Sequence, residues 1–202
     1  MAHDTTARLP LVAAAGLVAA ILFVFGVLVD DFWLRVVTKP IPVLAMAVAL
    51  LTLRRHRYAR TIAVGLGFGL LGDIFLELPE AYFVPGMVAF LSGHVAFVVA
   101  FVGRTRRLSP LAALPFAAWI GWITRLLWPD LGDLTVPVLV YVLVIFAMMW
   151  RATAMVAESR PTRWDWLAMI GAILFGLSDS LIALDKFHAP IDGVRIPIIL
   201  LY

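Results

Sequence analysis

The chain has 202 residues, 63% of them hydrophobic and 14% charged, a formal net charge of +3 and no cysteine, with a mean hydropathy of +1.01. Soluble domains average about 45–50% apolar and about 25% charged residues, so this composition excludes an ordinary water-soluble domain and indicates a single integral membrane domain over residues 1–202. Disulfides, thiolate catalysis and Cys-ligated metals are excluded as well.

Apolar runs predict helices over about 9–29, 40–53, 61–78, 83–102, 109–128, 134–151, 165–184 and 194–202. The expected fold is all-α, a polytopic transmembrane helix bundle of about eight helices. The first run follows Arg8 as a signal peptide would. It is too long for an h-region, however, and meets Asp30-Asp31 without a small-residue cleavage site, so a retained helix is expected. The second helix is short, which suggests tilt or burial within protein. In the third, Gly65-x3-Gly69 and Gly69-x2-Gly72 give a small-residue face for close helix packing. The eighth, at 1.5 Å per residue, reaches roughly 14 Å and does not cross a core of about 30 Å. Either the sequence is cut at Tyr202 or this helix only dips into the bilayer.

Loop charge sets an expected orientation. Arg54, Arg55, Arg57 and Arg60 follow helix two, Arg104, Arg106 and Arg107 follow helix four, and Arg151, Arg160 and Arg163 follow helix six. The alternate loops carry Asp30 and Asp31, Glu77 and Glu80, Asp130 and Asp133, and Asp185 and Asp192. An excess of Lys and Arg marks the cytoplasmic side, so the N-terminus is expected inside and the acidic loops outside. The same arginines snorkel to headgroups and account for the pI of about 9.7, with no nucleic-acid partner required.

Two acids stand out inside apolar stretches: Asp73, in Gly72-Asp73-Ile74-Phe75, and Asp179, in Ser178-Asp179-Ser180-Leu181. An acid facing lipid costs roughly 2.5–3.5 kcal/mol even on the mild insertion scale, so such residues usually serve a polar cavity. Helices three and seven both run outward and place the two aspartates at similar depth. Glu77 lies four residues beyond Asp73 on the same face, and Ser92-Gly93-His94 lies near the middle of helix four. Structural roles compete with functional ones. Asp73 can cap a neighbouring helix or pair with Arg125 or Lys39, and Asp179 can bond to Ser178, Ser180 or nearby backbone. A neutral imidazole at His94 is cheap to bury beside one partner. Glu77 reads as interfacial, and Trp119, Trp122, Trp128, Trp150, Trp164 and Trp166 read as belt anchors. The histidines are His3, His56, His94 and His188, with only His94 intramembrane. His188 sits in the outer loop after helix seven, from which it could approach the acids, but no ligand spacing indicates a metal and none is expected. No nucleophile elbow or phosphate loop occurs.

Three segments carry a family resemblance: Gly67-Phe68-Gly69-Leu70-Leu71-Gly72-Asp73, Phe83-x2-Gly86-x3-Phe90-x2-Gly93-His94, and Gly171-Ala172-x2-Phe175-x2-Ser178-Asp179. Together with Lys39-Pro40, Tyr141 and Met148, and in this order, they make the chain resemble the YhhN family of lysoplasmalogenases, whose members usually carry a full eighth helix. The resemblance implies a multi-pass cell-membrane hydrolase acting on ether bonds, with no cofactor. It would cleave the vinyl ether of a lysophospholipid to a fatty aldehyde and glycerophosphoethanolamine or glycerophosphocholine. Protonation of the vinyl ether needs a carboxylic acid, and a second, ionised carboxylate would stabilise the resulting cation and activate water. Asp73 and Asp179 are the expected pair, with His94 orienting a carboxylate or moving a proton. Lys39 is expected to hold the lipid phosphate, and Glu77, Ser92, Ser178 and Tyr141 to line or support the substrate site. The competing expectations are a proton- or cation-coupled transporter using the same residues, a hydrolase of another lipid, and a metal-dependent lipid hydrolase. The sequence fixes no oligomeric state.

Overall fold

The computed structural model describes residues 9–53, 57–158 and 160–201. All regular structure among them is helical: α1 (Leu9–Leu28), α2 (Phe32–Thr38), α3 (Pro40–Leu53), α4 (Arg57–Glu77), α5 (Phe83–Arg104), α6 (Leu114–Leu127), α7 (Thr135–Val156), α8 (Arg163–Ala183) and α9 (Arg195–Leu201). Seven stretches of the described residues are long and apolar enough to cross a membrane. The protein is thus a multi-pass, all-helical membrane protein, as expected. The last helix is short, again as expected.

The second span begins earlier than the sequence suggested. The Asp31 carboxylate accepts the Leu34 N–H at 2.8 Å and caps α2. Lys39 is itself helical (φ −55°, ψ −45°) and its N–H bonds to the Arg35 carbonyl. The helical path therefore runs through Pro40 into α3, giving one stretch from Phe32 to Thr52. A residue before proline normally avoids this conformation, which is why the sequence placed the boundary at Lys39-Pro40 and made the helix too short. Helix α7 likewise runs five residues past its expected end at 151 and takes Arg151 out of the loop.

Arg151 is buried rather than snorkelling, and its guanidinium donates to the Thr105 carbonyl at 2.5 Å and the Arg107 carbonyl at 2.6 Å. The Thr105 hydroxyl donates to the Glu158 carboxylate, and the Trp150 indole N–H reaches the Ser109 carbonyl at 3.2 Å. Arg104 pairs at 2.9 Å with Asp165, which is also the N3 partner of Thr162 in the capping box that starts α8. Arg54, Arg55, His3 and His56 lie outside the described residues.

The chain forms two compact units, one up to Ala100 and one from Phe101 on. In the first, α1 packs on α3 and α3 on α4, while α2 touches α1 and α4. The small-residue face of α4 receives α5, as its glycines suggested. A Cβ on Gly65 would stand 2.3 Å from the Phe97 ring, one on Gly72 would stand 2.6 Å from the Phe90 ring, and one on Gly93 would stand 2.9 Å from the Gly65 carbonyl oxygen. In the second unit, α7 packs on both α6 and α8, and α9 packs on α8.

Candidate active site

The first polar cluster belongs to α2, α3 and α4. Arg35 and Lys39 are four residues apart on one helical path, and so are Asp73 and Glu77 on α4. Each pair therefore shares a face, and the two faces meet. The Lys39 ammonium lies 3.0 Å from Glu77 Oε1 and 3.6 Å from Asp73 Oδ1. Arg35 Nε lies 3.3 Å from Glu77 Oε2, and Arg35 Nη1 pairs with the exposed Asp30. The Phe23 ring of α1 stands 5.6 Å from the Lys39 ammonium. Asp73 is 2% exposed and Glu77 9%. Charges this deep persist only when opposed, and here two cations oppose two carboxylates. Glu77 is thus buried and ion-paired. The pairing of Asp73 with Lys39 is one of the structural roles foreseen for that acid.

His94 belongs to the same unit and is 1% exposed. Its ring lies between Phe90 and Phe97, with centroids at 6.4 and 6.5 Å. The close approach of Gly93 to Gly65 and Gly69 sets the level of His94 on α4. Ser92 is turned to its own helix, where it donates to the Val88 carbonyl at 2.8 Å.

The second cluster lies on α8 and its neighbours in the second unit. Tyr141 on α7 donates its hydroxyl to Asp179 Oδ2 at 2.7 Å. Ser178 is fully buried, and its hydroxyl reaches the Ile198 carbonyl of α9 at 3.3 Å. Ser180 donates to the Gly176 carbonyl at 2.7 Å and accepts the Trp119 indole N–H at 3.2 Å. Trp119 is therefore bonded into the helix that carries Asp179 and is not only a belt anchor. Trp122, Trp128, Trp164 and Trp166 are exposed, as belt residues would be. His188 pairs with Asp130 at 3.0 Å.

Each unit thus presents one buried aspartate with a defined polar partner, Lys39 for Asp73 and Tyr141 for Asp179. Sequence reasoning missed Arg35 and Trp119. For Arg35 a signal was available: a basic pair at i, i+4 facing an acidic pair at i, i+4.

The model of the YhhN family matches residues 34–202. The lysoplasmalogenase TMEM86A of Bos taurus is 37% identical over 172 residues, covering 81% of this chain and 71% of that protein. The lysoplasmalogenase TMEM86B of Homo sapiens is 32% identical over 171 residues, covering 84% and 71%. A lysoplasmalogenase of Mycobacterium tuberculosis (strain CDC 1551 / Oshkosh) is 31% identical over 151 residues, covering 70% and 56%. No solved structure matches the chain. From the ordered glycine, aspartate and histidine motifs to the match over most of its length, the chain belongs to the YhhN family.

Proposed function

We propose that the protein is a lysoplasmalogenase of the cell membrane, with its N-terminus cytoplasmic and the acidic ends of its spans outside. It hydrolyses the vinyl ether of a lysoplasmalogen to a fatty aldehyde and the glycerophospho-base. The observation that carries this reading is the pair of aspartates kept inside apolar helices, each buried and each held by a polar partner. Relatives named lysoplasmalogenases support the substrate class.

One carboxylic acid of the pair Asp73 and Asp179 protonates the β-carbon of the vinyl ether, and the double-bond electrons form the new C–H bond. The resulting oxocarbenium ion is stabilised by the other, ionised carboxylate. That carboxylate takes a proton from water as the oxygen adds to the cationic carbon. The hemiacetal so formed collapses: its hydroxyl gives its proton to the first carboxylate, the C–O bond to glycerol breaks as the leaving oxygen takes a proton from the second carboxyl group, and aldehyde and alcohol leave with both aspartates back in their starting states. His94 orients a carboxylate or moves a proton between steps. Tyr141 fixes the Asp179 carboxyl group, Lys39 and Glu77 frame Asp73, Ser178 anchors α9 beside Asp179, and Ser92 lines the His94 helix.

The test is aldehyde release from lysoplasmenyl-ethanolamine by purified protein, with Asp73→Asn and Asp179→Asn as comparisons. Each folded variant is expected to lose turnover by at least about 100-fold, the low end for removal of a catalytic acid or base. Full activity in both would overturn the assignment of the pair.

A further inference from the structure

The ammonium of Lys39 is already shared between Glu77 and Asp73, so it is poorly placed to hold a lipid phosphate as well. Its neighbour one turn toward the span end is differently disposed. The Arg35 guanidinium is ion-paired on its inner side, Nε standing 3.3 Å from Glu77 Oε2, and donates from Nη1 to Asp30. The Asp30 side chain is 90% exposed, and its backbone sits at φ 54°, a left-handed conformation that few residues other than glycine adopt. Trp33, 73% exposed at the start of the same span, marks the depth at which headgroups lie.

We propose that the outer edge of the Arg35 guanidinium is the seat for the phosphate of the lysolipid, and that Asp30 occupies this seat as an internal surrogate until the phosphate displaces it. A guanidinium fork suits a phosphate better than an ammonium does. Glu77 holds the guanidinium in place from behind, so the seat is built before ligand arrives. The exposed carboxylate of Asp30 competes with the ligand, and its removal strengthens binding.

This inference rests on the lysolipid reading above but is tested without catalysis. The probe is a fluorescent 1-alkyl lysophosphoethanolamine, a saturated ether that offers no vinyl group to cleave, bound to the full chain in detergent. The competitors are unlabelled alkyl lysophosphoethanolamine, the phosphate-free 1-alkylglycerol, and inorganic phosphate. Arg35→Gln is expected to weaken the phosphate-bearing ligand roughly 10- to 100-fold, the range for a hydrogen bond to a charged group, and to leave alkylglycerol within about twofold. Asp30→Gly, which suits the left-handed backbone, is expected to tighten the phosphate-bearing ligand several-fold and to leave alkylglycerol unchanged. Inorganic phosphate in excess is expected to leave the probe bound. An Arg35→Gln variant that loses both ligands equally, an Asp30→Gly variant with wild-type affinity, or displacement by inorganic phosphate alone would each overturn the proposal. The gain in Asp30→Gly cannot come from misfolding, so the test survives an unstable Arg35 variant. A wild type that binds the ether lysolipid in this way but releases no aldehyde would sink the hydrolase reading and leave this one standing.

Discussion

Replacing Gly93 by alanine adds one methyl group where two helix backbones meet. The new Cβ would lie 2.9 Å from the Gly65 carbonyl oxygen and 3.5 Å from the Gly69 nitrogen. Ordinary contact begins near 3.4 Å, so α4 and α5 must separate locally by about half an ångström. A backbone carbonyl cannot swing aside as a flexible side chain can. Overpacking of this kind typically costs about 1–3 kcal/mol, or roughly 2–4 °C in Tm for each kcal/mol in a chain of this size. The next residue is His94, which moves with α5, and on the proposed function, in which His94 serves the carboxylates, a displacement that approaches 1 Å costs up to on the order of 100-fold in rate. Thermal unfolding in detergent and aldehyde release should therefore both fall, activity more steeply than stability. Gly67→Ala, on the partner helix α4, is the internal comparison, because its Cβ would meet nothing within 4 Å. Wild-type Tm and kcat in Gly93→Ala, or equal losses in Gly67→Ala, would refute the packing argument.

Three further outcomes are expected. Tyr141→Phe keeps the ring and removes the hydroxyl that Asp179 Oδ2 accepts at 2.7 Å, so the fold should lose about 1.5–3 kcal/mol in denaturation, and kcat/KM of the protein that remains folded should fall as well. Lys39→Met alone leaves Asp73 and Glu77 without their shared ammonium and should destabilise the protein by about 3–5 kcal/mol, the range for breaking a buried pair. Adding Glu77→Gln to Lys39→Met should recover part of that loss, as a double-mutant cycle of denaturation midpoints would show, whereas strict additivity would deny the coupling.

The spans were legible because an apolar run of membrane length has few other readings. Their ends were less so, for two physical reasons. Asp30, Asp31, Arg35, Lys39 and Pro40 together read as a polar connection, yet they form a capped helix whose cations are neutralised across space by α4. Arg151 read as a loop residue because a lone arginine at the end of an apolar run normally snorkels, and only the fold supplies carbonyls for it to bind. Within the candidate site, Asp73, Asp179 and His94 were legible from the cost of burying them. Lys39 was already in view as a partner for Asp73, but the Asp179 partner was not legible from spacing, since Tyr141 and Asp179 are 38 residues apart in sequence and a pairing at that distance leaves no local periodicity. The i, i+4 match between Arg35/Lys39 and Asp73/Glu77 was the exception, being written in spacing and sign. Trp119 gave no such sign, because an indole near a helix end looks the same whether it meets headgroups or a serine.

The guanidinium of Arg151 has two uses separated in time. While the chain is being inserted, a positive charge at this end of α7 helps to decide which way the helix enters the bilayer. Once the chain has folded, the same group is shut inside, donating to the carbonyls of Thr105 and Arg107 and so pinning the connection that follows α5. An orientation signal is thereby consumed as a fastener. Were α7 alone to enter inverted, Arg151 would be carried to the opposite end of its span from Thr105 and Arg107, so the same error would cost both the charge placement and the clasp.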